Sequence, residues 1–270
     1  MISAHATHTA AGGTAGLEAV APVVVLVALA AGYVLLALAR GREPRGWSLW
    51  RTGSFLAGIG LLLLALVPSL SPFPAGDFRG HMYQHLLIGM YAPLGLALGA
   101  PVTLVLRSIP PRQGKVIGRI LRWPPVGVLA HPVTALVLNL GGLYLLYFTP
   151  LYAATTQHPL LHHLVHLHFL AAGYLFAYAI AGPDPAPHRS SVPARLVILG
   201  VAIAGHAVLS QLLYAGALVQ VSAPTEQLRG AADLMYYGGD IAELLLALAM
   251  VSTWRPNRRV STAQHTHAPA

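Results

Sequence analysis

The sequence predicts an all-α, polytopic membrane protein: a bundle of seven transmembrane helices with the N-terminus outside and the C-terminus cytoplasmic. Three observations carry this. Of the 270 residues, 56% are hydrophobic and only 9% charged, against roughly 25% charged in soluble domains. Seven apolar runs approach or exceed the ~20 residues that cross a ~30 Å hydrocarbon core. Fourteen of the sixteen Lys and Arg residues fall on one side of the bilayer when the runs are threaded through it, and the positive-inside rule makes that side the cytoplasm.

The first span, 17–39, is followed by Arg40, Arg42, Arg45 and Arg51. Span two, 52–70, stops at Ser71-Pro72-Phe73-Pro74, where two prolines interrupt helix continuity. Span three, 79–106, contains Pro93 and Pro101, which predict kinks tolerated because neighbouring helices re-satisfy the backbone. Arg107, Arg112, Lys115, Arg119 and Arg122 follow it. Span four, 128–148, opens near His131-Pro132, where His131 reads as an interfacial or capping residue. Span five, 160–181, ends at Gly182-Pro183-Asp184-Pro185, with Arg189 and Arg195 beyond. Spans six and seven, 195–221 and 231–253, precede Arg255, Arg258 and Arg259. Abundant Gly and Ala suit close helix packing in lipid, and Trp47, Trp50, Trp123 and Trp254 read as an interfacial belt. Residues 1–16 carry no Lys or Arg, so the first run reads as a retained helix rather than a leader. The expected organisation is a flexible extracytoplasmic segment 1–16, a transmembrane domain 17–254 and a flexible cytoplasmic tail 255–270.

Composition also excludes function classes. A formal charge of +8 raises nucleic acid as a partner, but the arginines sit between apolar runs without a basic, aromatic-interleaved patch, which argues against it. Cysteine is absent, so disulfides, iron–sulfur clusters and thiolate sites are ruled out and His, Met and carboxylate remain as ligands. No nucleophile-plus-base constellation or phosphate-binding loop is present, and no enzymatic activity is expected.

The polar residues inside the spans point elsewhere. His81/His85 and His162/His166 are two pairs, each four residues apart, at the same end of spans three and five. Four residues turn a helix by about 400°, so the two rings of a pair differ by only about 40° in direction. His163 lies on the other side of His166, and His168 points away from both. If the two spans are neighbours, both pairs can face one ion, as facing helices in bundles do. Met82, Met90 and Met235 place thioethers at similar depth; imidazole with thioether favours copper, especially Cu(I), over calcium or magnesium, and imidazole alone also suits zinc. The plainer alternative is histidines lining the headgroup region. Deeper in the bundle, His206 sits mid-span six, and Asp240 and Glu243 lie inside span seven with Asp233 nearer its outer end. Such groups are costly in lipid and need a partner or a cavity. They read as ligands or as a proton or ion path; the structural alternative is a His206–carbonyl bond and an acid pair holding a neighbouring helix. His158 reads as a solvated loop residue, and His5, His8, His265 and His267 belong to the tails.

Several short motifs occur together: His81-Met82-Tyr83-Gln84-His85 leading to Pro93 and Gly99-Ala100-Pro101, His131-Pro132, and His162 through Gly173-Tyr174-Leu175-Phe176. Asp184-Pro185-Ala186-Pro187, His206-Ala207 and Gly238-Gly239 complete them. In these, residues 50–255 resemble the CtaG family of cytochrome c oxidase assembly factors. The resemblance implies a seven-helix membrane protein that helps supply copper to the binuclear centre of a haem–copper oxidase, with His81, His85, His162, His168 and His206 as functional positions. His166 rests on spacing. Span seven departs from the family pattern at Asp233-Leu234-Met235-Tyr236-Tyr237 and at Asp240-Ile241-Ala242-Glu243, where a tryptophan is expected. That leaves room for another client.

The leading expectation is therefore a copper-binding assembly factor in the cell membrane. Its client is a haem–copper oxidase subunit, an extracytoplasmic protein donates its copper, and the lipid bilayer surrounds it. The alternatives are a b-type haem electron carrier and an ion or proton transporter using His206, Asp240 and Glu243.

Overall fold

A computed structural model describes residues 8–41, 46–186 and 189–253. Among these, every regular element is helical. Six helical stretches are long and apolar enough to cross a membrane. A seventh is a pair of helices, Pro132–Phe148 (α8) and Leu151–Gln157 (α9), bent by 79°. The bend has a local cause: Thr149 precedes Pro150 and is extended (φ −125°, ψ 169°), as the ring of the next residue disfavours helical geometry.

The first helix, α1 (His8–Gly41), starts inside the segment expected to be flexible; residues 1–7 and the expected tail 255–270, with His5, Trp254, His265 and His267, lie outside the described residues. Helix α2 (Leu49–Leu66) ends earlier than expected because Val67 precedes Pro68 and turns extended. Span three is not one helix. It runs as α3 (Phe78–Leu86), a π-helical turn (Leu87–Tyr91), α4 (Ala92–Leu98) and α5 (Pro101–Ser108). Pro93 has no N–H for the Gly89 carbonyl and its ring crowds that position. The turn widens, and Ala92 N–H bonds Leu87 instead. Ala100 then adopts a left-handed conformation (φ 51°) and breaks α4 from α5.

Helices α6 (Pro111–Leu121) and α7 (Pro124–Leu129) bury no residues. In α6 the cations Arg112, Lys115 and Arg119 occupy one face and Ile117, Ile120 and Leu121 the other, the pattern of a helix lying in a membrane interface. His131 caps α8, its Nδ1 accepting from Val133 N–H at 3.3 Å. Helices α10 (Pro159–Ala181), α11 (Val192–Ala215) and α12 (Thr225–Ser252) complete the bundle. α11 stops well before 221 because Gly216 takes a left-handed cap (φ 64°).

The arginine-bearing end is more than a charge label. Trp47, expected in the belt, is instead buried; its indole N–H reaches Tyr33 Oη at 3.2 Å, and Tyr33 donates to the Gly99 carbonyl at 2.6 Å. Arg51 and Arg107 lie over its ring. Trp50 and Trp123 are exposed, as a belt requires. Arg195 is buried and donates to the Ile180 carbonyl, while Arg189 donates to the Gly182 and Asp184 carbonyls. Cations thus close the C-terminal end of α10, where the helix dipole favours them.

For the site, the packing order matters most. Spans three and five do touch, but along the π turn and α4; α3 itself packs chiefly on α12. α12 also lies along α11, and α11 on α8.

Candidate metal centre

The histidines occupy two tiers. The rim tier lies where α3 and α10 begin. The His162 and His166 rings lie side by side, centroids 4.2 Å apart and tilted by 59°. His81 is close enough to feel both electrostatically. It packs on Phe78 and meets the Tyr152 and Tyr147 rings edge-on, at 4.9 and 6.2 Å. Its Nε2 is buried without a hydrogen-bond partner among the described residues.

The deep tier lies one turn further in, about 6 Å along the axis. His85 and His206 are each 4% exposed and Glu243 5%. Together with Met90 and Asn139 they line a cavity of about 10 Å³, room for one ion or water. A neighbouring cavity shares Met90, Asn139 and Glu243. His206 Nδ1 stands 3.7 Å from Glu243 Oε1. Both ring nitrogens of His85, Nε2 of His206 and Oε2 of Glu243 are buried without partners among the described residues. Buried polar groups left unpaired cost about 1–3 kcal/mol each, so four such atoms in so apolar a bundle are a poor structural choice. The donor chemistry, imidazole with thioether and no thiolate, fits a soft ion.

Glycines seat the imidazoles. A Cβ on Gly239 would overlap the His206 ring, and one on Gly89 would sit 3.2 Å from His85 Cε1. Gly239→Ala is therefore expected to turn His206 out of the cavity, at an overpacking cost of about 1–3 kcal/mol. Its histidine ¹⁵N spectrum should show His206 shifted while His162 and His166 keep their positions. An unchanged His206 signal would remove the steric seat.

Other expected residues fall elsewhere. His168 is exposed, seated against Gly142, with Nε2 3.1 Å from the Leu138 carbonyl; its partner is backbone, and the spacing that sends it away from His166 holds. His163 is exposed at the mouth of an apolar groove that His166 also lines. Met82 and Met235 are fully buried in one apolar cluster, and the Tyr147 hydroxyl donates to the Met82 sulfur at 3.9 Å. Asp233 is exposed and lines flanking clefts with Tyr237. Asp240 is half-buried and near enough to Glu243 to act on it electrostatically. The two outer pairs do not form one four-histidine sphere: among the described residues no three His, Asp or Glu side chains converge as a metal-binding group. The residue that sequence reasoning passed over is Asn139, an amide in the middle of the apolar α8; its position in a membrane span was the available signal.

Comparison with known proteins extends the geometry. The chain is 31% identical over 262 residues to uncharacterised proteins of Mycobacterium bovis and Mycobacterium tuberculosis, covering 90% of this chain and 40% of each relative. A Mycobacterium leprae protein is 27% identical over 266 residues with the same coverage. The chain thus spans about two-fifths of the length of these relatives. No solved structure matches it. The model of the cytochrome c oxidase caa3 assembly factor family, Caa3_CtaG, matches residues 18–257, nearly the whole helical bundle with both histidine tiers, and the chain belongs to that family.

Proposed function

We propose that the protein is a membrane-embedded copper-binding assembly factor that helps deliver copper to the binuclear centre of a haem–copper cytochrome c oxidase. The observation carrying this is the row of buried imidazole nitrogens on His81, His85 and His206, without partners among the described residues, running from the rim to the middle of the bundle. Copper is cargo here. It enters at His81, His162 and His166 from an extracytoplasmic donor and leaves to an oxidase subunit. The arginines at the opposite end of the bundle support a rim that faces outward. A carrier must also release its ion, and sparse coordination suits exchange better than a closed sphere.

The test is Cu(I) titration of the purified chain against a chromophoric chelator, with His81→Ala/His85→Ala alongside. That variant strikes both tiers and is expected to lose most of the bound copper. Unchanged copper content would overturn the reading. The haem alternative is decided by the visible spectrum of the purified protein: a Soret band with stoichiometric haem would overturn the copper reading. The buried His206–Glu243 pair favours one second reading, a proton or ion path. Proteoliposome flux that survives His81→Ala/His85→Ala but fails in Glu243→Gln would select it.

A further inference from the structure

We infer that the deep tier is a second cargo site, distinct from the rim, in which His85, Met90 and His206 hold a soft monovalent cation. This rests on the copper reading above and divides it into two stations.

The three donors come from two different spans and line one cavity with room for a single ion. Both imidazoles are more than nine-tenths buried, and three of their four nitrogens have no partner among the described residues. The fourth, His206 Nδ1, faces Glu243. A carboxylate behind a histidine is the usual support for a metal-ligating ring, because it fixes the ring's orientation and leaves the far nitrogen forward. At 3.7 Å the contact is longer than a hydrogen bond, and the support requires it to shorten when the ion binds. Glu243 is thus a positioning residue.

Met90 supplies the selectivity. In a straight α-helix, residues five apart point about 140° away from each other, so His85 and Met90 would face different neighbours. The π turn from Leu87 to Tyr91 is wider, which brings the thioether round to the cavity that His85 lines. Such turns recur at functional sites. Two imidazoles and a thioether favour Cu(I) over the hard cations. An ion can pass between stations one helical turn apart by ligand exchange, with no change of oxidation state.

Anaerobic Cu(I) titration of the full chain in detergent, with a competing chelator, is expected to give two equivalents. His81→Ala/His162→Ala should remove one. Met90→Leu, a volume-conserving change, and His206→Gln should each weaken the other at least tenfold. X-ray absorption should show a sulfur neighbour in the parent that vanishes in Met90→Leu and persists in Glu243→Gln, with affinity lowered in the latter. Circular dichroism and gel filtration confirm that each variant is folded. A single equivalent, lost with the rim variant and indifferent to Met90→Leu and His206→Gln, would overturn the deep site while leaving the copper reading intact. No binding by the parent would overturn both.

Discussion

Replacing Asp184 by alanine is expected to lower stability by about 3 kcal/mol, one of the largest effects of any single change in this chain. Asp184 is 1% exposed and sits in the loop after α10. Its carboxylate accepts from Val102 N–H at 3.1 Å, Thr103 N–H at 2.7 Å and the Thr103 hydroxyl at 2.5 Å. Those amides open α5, just after the left-handed Ala100, where helix N–H groups have no partner of their own. Losing a cap costs about 1 kcal/mol; hydrogen bonds to a charged group are worth about 1.5–3 kcal/mol. Removing the acceptor leaves buried donors behind, which is worse than replacing both sides together. In detergent the unfolding midpoint should fall by roughly 5–10 °C. Thr103→Val removes one of the three bonds and should cost about 1 kcal/mol. Equal midpoints for Asp184→Ala and the parent would mean that the loop does not hold α5.

Asp184 also shows where the sequence stops being informative. Its Gly-Pro-Asp-Pro setting marks a loop, and nothing local says that the carboxylate reaches back to residue 102. Apolar runs were legible because lipid forces whole segments to be hydrophobic. Their ends were less so. Pro93 and Pro101 announced breaks in span three, but whether a proline gives a kink, a π turn or a left-handed step depends on what packs against it. Trp47 illustrates the same limit. An indole next to arginines looks alike whether it faces headgroups or, as here, the Tyr33 hydroxyl of α1. The histidine pairs were legible as directions. Four-residue spacing puts His81 and His85 on one face, but it also separates them by a turn of depth. Because span three meets α10 along the π turn rather than along α3, the two rings join different tiers. Met90 was recognised as a soft donor, but a 3.6-residue period hides its relation to His85.

Gly173→Ala should be nearly as damaging as the loss of Asp184, for the opposite reason: it adds atoms where backbones meet. A Cβ at Gly173 would overlap the Gly89 carbonyl oxygen, lie 2.9 Å from its carbon and 3.0 Å from Pro93 Cγ. None of these is a flexible side-chain tip, so α10 and the π turn must separate. Small residues at helix crossings in membranes permit this kind of approach, and overpacking costs about 1–3 kcal/mol; a rigid backbone contact places this case at the upper end. Gly141→Ala is the control. It sits in α8 with only Val137 Cγ1 near, at 4.0 Å, and alanine's better helix propensity makes that change neutral or slightly stabilising. Thermal unfolding of the two variants side by side separates steric conflict from a general response to Gly→Ala. Copper titration adds a second readout, because the π turn carries Met90 and follows His85. Spreading it from α10 should weaken the deep station and spare His81 and His162. If Gly173→Ala matches Gly141→Ala in both measurements, the close approach that shapes the π turn is not what holds the thioether beside the imidazoles.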